Sequence, residues 1–362
     1  MHILVTGGAG FIGSQVVEEM VRAGHQVRVI DALIAGVHPE SRAPSFAGDV
    51  EFIHADIRDE RSLNRALTGI DLVCHQAAMV GRGKEILDAP NYMGCNDLGT
   101  AVLVAAMTKA GLGRLILGSS VVIYGDSRYD CPAHGQVRPG SRLAADLRRG
   151  RFEPRCPRCG ADVVASAVTE DDPVDPPRNI YAVSKLAQEL IVGAWVRETN
   201  ASAVALRYHN VYGPAMPYQS PYSGVASAFR TWVARGEAPR VFEDGKPLRD
   251  FVHVRDVARA NVAALDRAEA GFRAFNVASG EPRSIAELAA ALARAGGGPA
   301  PLITGEFRVG DVRHIFASPA RLMSELRWRP EVGFEAGVRE FAAAPMRGDP
   351  GAQRVRAGTR NT

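Results

Sequence analysis

The stretch His2-Ile-Leu-Val-Thr6, running straight into Gly7-Gly-Ala-Gly-Phe-Ile-Gly13, decides the fold of this chain. A short β-branched and aliphatic run reads as a buried strand, and Ser14 to Ala23 then carries the periodicity of an amphipathic helix that stops at Gly24. Strand, glycine turn and helix in that order are the setting in which such a motif holds a phosphate. Gly7 and Gly10 let the backbone turn tightly and approach a pyrophosphate, while Gly13 lets the helix pack closely on the strand. The N-terminus of that helix, with its unpaired N–H groups, then faces the anion. A glycine-rich turn also occurs in βα units that bind nothing, so the following strands carry the decision.

Gln26-Val-Arg-Val-Ile-Asp31 is a second strand ending in an acid, placed to accept hydrogen bonds from adenosine ribose hydroxyls and to repel a 2′-phosphate. NAD is therefore expected rather than NADP. The third strand, Val50 to His54, leads into Asp56 and Ile57, which could hold the adenine by a hydrogen bond and an apolar contact. A fourth, Asp71 to His75, ends in Gln76-Ala77-Ala78, whose small side chains leave room for a cofactor. Alternating strands and helices predict an α/β fold, a Rossmann-type doubly wound parallel sheet.

The chain has 362 residues, 46% hydrophobic and 23% charged, with a net charge of +3. That is ample for a buried core and gives no reason to expect a nucleic acid or a membrane as partner. A strand starting at His2 leaves no room for a signal peptide, and no apolar run is long enough to span a bilayer. Five scattered cysteines make no disulfide framework, so a reducing cytoplasm is the expected compartment. Asp97 to Ala110 reads as a helix apolar almost all round, which must be covered on both sides; core burial would do, and a subunit contact is the preferred reading.

Two later stretches carry chemistry. Arg114 to Gly125 is a fifth strand with Ser119 and Ser120 where it should emerge at the carboxyl edge of the sheet. Tyr181-Ala-Val-Ser-Lys185 puts a phenol and an ammonium on one face of a helix. A nearby ammonium favours phenolate and lowers the phenol pKa, giving a positioned group able to take a proton from an alcohol. By itself such a pair is more often a solvated helix face.

Together these pieces resemble an extended short-chain dehydrogenase/reductase of the nucleotide-sugar epimerase group, similar to UDP-glucose 4-epimerases and dTDP-sugar 4-epimerases. Thr6–Gly13, Asp31, Asp56-Ile57, His75–Ala78, Asn96, Ser119–Gly125, Tyr181–Lys185, Leu206–Pro214, Arg249–Asp256 and Arg308–Asp311 match in order, over residues 1 to about 335. The resemblance implies Ser120, Tyr181 and Lys185 as the catalytic group, with Tyr181 as base and Lys185 also holding the nicotinamide ribose. It implies cofactor contacts from Phe11, Ile12 and Asn96 beside those named above. Ser119, Asn210, Arg249, Arg308 and Asp311 would contact a nucleotide-diphosphate sugar, and Arg240-Val-Phe242 would lie beside its base. His209 is read as structural. Related 4,6-dehydratases carry an Asp-Glu pair after the catalytic Ser/Thr, where this chain has Val121 and Val122, which cannot do acid–base work. Oxidation and re-reduction at C4 remain, as a 4-epimerase or, alternatively, as a 4-ketoreductase consuming reduced cofactor; a fold that has lost its chemistry is the third reading. The family also implies a homodimer through the helices near 97–110 and 181–198.

Between Gly125 and Tyr181 lies a loop about twice as long as in most of the family. It holds Cys131-Pro-Ala-His134-Gly and Cys156-Pro-Arg-Cys159-Gly, two knuckle-like turns that echo each other. Three thiolates and an imidazole make a closed set suited to a structural Zn²⁺. A disulfide or unliganded thiols are the alternative, and an arginine-rich link between the turns could act as a lid. The expected organisation is an NAD-binding domain over 1–212 with the insertion at 126–170. A smaller substrate domain over 213–345 follows, with about 251–280 returning to the first domain. Residues 346–362, rich in Gly and Arg, read as a disordered tail.

Overall fold

Seven aliphatic runs pair in parallel: β1 (His2–Thr6), β2 (Gln26–Asp31), β3 (Val50–His54), β4 (Leu72–His75), β5 (Arg114–Ser120), β6 (Ser202–Tyr208) and β7 (Gly271–Val277). The computed structural model describes residues 1–34, 38, 44–81, 86–174, 177–218, 224–267 and 269–349. The strand order is β7-β6-β5-β4-β1-β2-β3. Parallel neighbours need long crossovers, which lay helices on both faces. β6 is accordingly buried at every position. Side chains alternate between faces: Ile3, Val5 and Ile116 join a core under the helices Phe11–Arg22 and Val254–Ala263, while Leu4, Leu115 and Leu117 join one under Gly99–Lys109 and Ile180–Thr199. The order reverses between β1 and β4, and their carboxyl ends frame a crevice there.

A separate core forms beyond β6. A three-stranded sheet of Asn210–Tyr212, Leu248–His253 and Pro282–Ser284 lies beside three helices, Val225–Ala234, Ile285–Gly296 and Phe334–Ala343. Phe229, Leu288, Leu292 and Phe341 fill the space between them. The middle helix starts at a capping box between Ser284 and Glu287, each side chain bonding the other's N–H. Within the insertion, Arg128–Cys131, Gly135–Val137 and Val164–Ser166 form a small sheet over Tyr129, Cys131, Val137 and Cys156.

Three expectations are corrected. The first helix begins at Phe11, so Phe11 and Ile12 belong to its first turn. The apolar helix expected over Asp97–Ala110 begins earlier, with Ala89–Tyr92, a wide π turn over Met93–Leu98, and Gly99–Lys109. Pro90 fits its first turn because no backbone N–H is needed there. That helix buries Leu103, Val104 and Met107, while Leu98 and, on the neighbouring helix, Leu190 stay exposed. The tail is ordered at its start: Met346 is buried in the core around Phe229 and Phe341, and Arg347 pairs through its backbone with Met216 and Tyr218 at 3.1 and 2.9 Å. One apolar anchor and one arginine found partners distant in sequence, which composition does not register. Residues 350–362 of the expected tail lie outside the described residues. No helix among the described residues is long and apolar enough to cross a membrane.

Candidate functional site

The crevice at the reversal point is built by two close-packed turns. Gly7 has φ 67°, and a Cβ there would stand 2.5 Å from Ala77 N. A Cβ on Gly13 would stand 2.1 Å from Gly7 O, so only glycine lets the helix seat against the turn. Gly7, Gly10, Asp31, Asp56, Ile57, Ala77 and Ala78 all line the resulting groove. Asp31 is held by Ala9 N–H at 3.0 Å and Leu33 N–H at 2.8 Å, which fixes its carboxylate at the end of β2. Asp56 faces Arg58 at 2.6 Å, and that guanidinium holds its carboxyl below the usual range. The side chains of Phe11 and Ile12 turn into the two cores, leaving their N–H groups in a first turn that no side chain caps. A glycine cradle, an uncapped helix N-terminus and a fixed carboxylate beyond it fit a dinucleotide. Asn96 does not reach the groove. It is fully buried, and its amide is consumed by Met79 N and O at 2.7 and 3.0 Å and Ser184 Oγ at 2.8 Å. It thus ties the groove wall to the helix that carries Tyr181.

That helix starts at Asn179, whose side chain caps Ala182 N–H at 2.9 Å. Two residues on, Tyr181 packs its ring 6.0 Å from that of Tyr92, and its phenol lies beside the Ser120 hydroxyl, which favours the phenolate. Ser119, the neighbour on β5, points to the other face and donates to Glu189, which pairs with Arg207 inside the protein. The structure therefore brings Ser120 and Tyr181 together and withdraws Ser119. Lys185 turns toward the sheet. Its Nζ donates to Gly118 O and Gln188 Oε1, both at 2.9 Å, and burial lowers its pKa to about 8. Burial pushes the Tyr181 phenol up to about 12, with the Ser120 contact working downward and Lys185 contributing nothing resolved. Helical spacing aligns the two Cβ atoms, but the long lysine stem follows the strand carbonyl.

Sequence reasoning missed the partners of that lysine. Gln188 Nε2 donates to Thr100 Oγ1 at 2.8 Å, Thr100 meets His75 Nε2 at 3.0 Å, and His75 Nδ1 meets Thr6 Oγ1 at 2.7 Å. A buried polar chain thus runs from Lys185 to β1. The spacing of Lys185 and Gln188 on one helix was a usable signal; the remaining links, from separate strands and helices, had none. Asp97 was also missed. Burial raises its pKa to about 6, Lys185 opposes that, and Oδ1 has no partner among the described residues.

From Tyr181 a cavity of about 570 Å³ extends under the Val225–Ala234 helix to Arg249 and Arg308, within the size range of small-molecule sites. Asn210, Arg240, Phe242 and Asp311 line it too. Asn210 Oδ1 is buried without a partner among the described residues. Arg308 lies 4.9 Å over the Phe242 ring, while Arg249 donates to Leu248 O, Val312 O and Arg313 O at 2.7, 2.7 and 2.9 Å. His209 is buried, and burial lowers its pKa to about 3, which suits a neutral packing residue.

In the insertion, the ligand atoms of Cys131, His134, Cys156 and Cys159 all lie within 4.8 Å of one another. Cys131 Sγ is 3.6 Å from His134 Nδ1 and 3.7 Å from Cys159 Sγ, and Cys156 Sγ is 3.5 Å from His134 Nδ1. Ligands at about 2.0–2.3 Å around a tetrahedral ion stand about 3.5–3.8 Å apart, so this donor set fits Zn²⁺. All described cysteines are free.

The family model described as "Epimerase: NAD dependent epimerase/dehydratase family" matches residues 3–142 and 159–278, leaving part of the insertion outside. The dTDP-L-rhamnose 4-epimerase of Burkholderia thailandensis is 32% identical over 94% of this chain and 93% of that protein. The Thermus thermophilus UDP-glucose 4-epimerase, solved as a complex with NAD, superimposes with a TM-score of 0.72 at 30% identity, covering 94% of this chain and 98% of that one. The Thermotoga maritima UDP-glucose 4-epimerase, solved with UDP-glucose, gives 0.75 at 27% identity over 94% and 97%.

Proposed function

This chain belongs to the NAD-dependent epimerase/dehydratase family, and from that premise we propose that it is an NAD-dependent nucleotide-sugar 4-epimerase with a structural zinc ion. The observation that carries the reading is Tyr181, with Ser120 beside it, lining the same cavity as Arg249 and Arg308. A sugar can sit at the hydroxyl pair while a diphosphate, a dianion, meets the guanidiniums.

NAD would be held by the glycine turn, Asp31, Asp56, Ile57, Ala77 and Ala78, with Lys185 at the nicotinamide ribose; when bound it supplies a hydride acceptor at C4, a donor to the opposite face of the 4-keto sugar, and positive charge that favours phenolate. Tyr181 takes the proton from the C4 hydroxyl and later returns it. Ser120 holds that oxygen by a hydrogen bond. Val122, which lines the cavity, offers no proton, so elimination of water is not supported. The exposed Leu98 and Leu190 support pairing of two copies along their helices, and a monomeric mass in solution would remove that element.

Incubation with UDP-, dTDP- and GDP-linked hexoses, followed by NMR, is expected to show inversion at C4 with no added cofactor consumed. Stoichiometric oxidation of added NADH or NADPH would instead indicate a ketoreductase, and no turnover of any sugar would end the proposal. The pH profile is a second expectation. Lys185 is the cation at the proposed nicotinamide ribose site, and burial lowers its pKa to about 8. The charge is present below that value and lost above it, so kcat/KM of the free enzyme should fall as pH rises through about 8. A flat profile from pH 7 to 9.5 would contradict the role given to the lysine.

A further inference from the structure

Arg313 is among the largest fully buried side chains, and it is surrounded by acids. Its Nη1 donates to Glu243 at 2.8 Å and Asp244 at 2.7 Å, its Nη2 to the second Asp244 oxygen at 2.9 Å, and its Nε to Glu153 at 3.0 Å. Glu153 comes from the insertion, three residues before Cys156, and its other oxygen faces His314 Nε2 at 2.9 Å. Burial pushes the Glu153 carboxyl up, but His314 and Arg313 outweigh it and hold the carboxyl at about 2. The insertion also contributes Arg142, which lies 2.8 Å from Glu243 and donates to Asp311 O at 2.8 Å and Phe152 O at 3.2 Å.

Most of these contacts converge on the 308–314 segment. It carries Arg308 and Asp311 to the cavity wall, and its carbonyls at Val312 and Arg313 receive the guanidinium of Arg249. Glu153, Arg142 and Arg313 stand behind this wall and do not line the cavity. Arg313 and Glu243 are buried, so parting them leaves an uncompensated charge away from water, while Glu153, half exposed, closes the cluster from the solvent side. A lid would require a surface that opens easily, whereas the side chains of Arg142 and Arg313 are 9% and 0% exposed.

We propose that the insertion is a buttress for the substrate cavity, in which Glu153 and Arg142 are positioning residues that fix the 308–314 segment and, through its carbonyls, Arg249. This rests on the reading of the cavity as a nucleotide-diphosphate site. The metal knuckles then have a use beyond holding the insertion together: they fold the piece of chain that presents Glu153.

The test is titration calorimetry of UDP and dTDP into the NAD- and metal-loaded full-length protein, wild type against Glu153→Gln. Glutamine keeps the size and removes the charge that Arg313 and His314 share. Nucleotide binding should weaken about ten- to hundredfold, the scale set by small misplacements of binding groups. KM for the sugar nucleotide should rise far more than kcat falls, with NAD and metal content unchanged. Arg142→Met should act in the same direction and Arg142→Lys less so, which keeps the test open if Glu153→Gln folds poorly. Wild-type nucleotide affinity in folded Glu153→Gln and Arg142→Met would overturn the buttress, as would a loss confined to kcat. Failure of the wild type itself to bind either nucleotide would overturn the cavity reading, and the inference with it.

Discussion

Tyr181→Phe is expected to lower turnover by about three orders of magnitude while leaving the dinucleotide bound. The substitution keeps the ring that packs 6.0 Å from Tyr92 and removes only the hydroxyl that meets Ser120. General acid–base groups contribute about 10²–10⁴-fold to rate. Lys185 cannot substitute, since its Nζ is engaged with Gly118 O and Gln188. The groove that would hold NAD is lined by residues at the ends of β1, β2, β3 and β4, and Tyr181 is not among them. Turnover by NMR and NAD content of the denatured protein therefore separate the two effects. A variant within threefold of the wild-type rate would remove Tyr181 as the base; a variant purified without NAD would show that its effect was on cofactor retention.

Cys156→Ser is expected to abolish metal binding and unfold the insertion. Cys156 sits in the insertion's own small core with Tyr129, Cys131 and Val137, and that core has few other apolar residues. Backbone N–H groups of Cys159 and Arg158 favour the Cys156 thiolate and, against burial, lower its pKa to about 6. A thiolate is the form a metal binds. Structural zinc sites supply about 10–16 kcal/mol in small metal-dependent domains, far more than this core could replace. Metal analysis should give about one zinc per wild-type chain and almost none in the variant. Its melting midpoint should fall by at least about 5 °C, as loss of a few kcal/mol does in a protein of this size. Because Glu153 is presented by the same fold, nucleotide binding should weaken in parallel. Wild-type protein that holds no metal after zinc is supplied, with a melting point equal to that of Cys156→Ser, would refute the site.

Local signals explain why so much of this protein could be read early. The glycine turn, Asp31 and the small residues Ala77 and Ala78 are dictated by close approach of backbone to backbone, and close approach can be met only by particular residue types at fixed spacing. The two knuckles are equally local, each placing a pair of ligands within four residues. Pattern also marked Tyr181 and Ser120, whose hydroxyls lie side by side.

Where a long side chain goes once it is buried is a different matter. Lys185 could have turned to Tyr181 or to the sheet, and Gly118 O with Gln188 decided it. Arg313 and Glu153 are ordinary charges in the sequence; folding buries the arginine against the half-exposed glutamate behind the cavity. Met346 and Arg347 look like the start of a loose tail until Ala9, Gly10 and Met216 are brought beside them. The sequence by itself determined the scaffold, the cofactor groove and the donor set, because each depends on residue type and near-neighbour spacing. Only the tertiary structure decided which charges pair, because a buried ion takes whatever partner the packed chain leaves within reach.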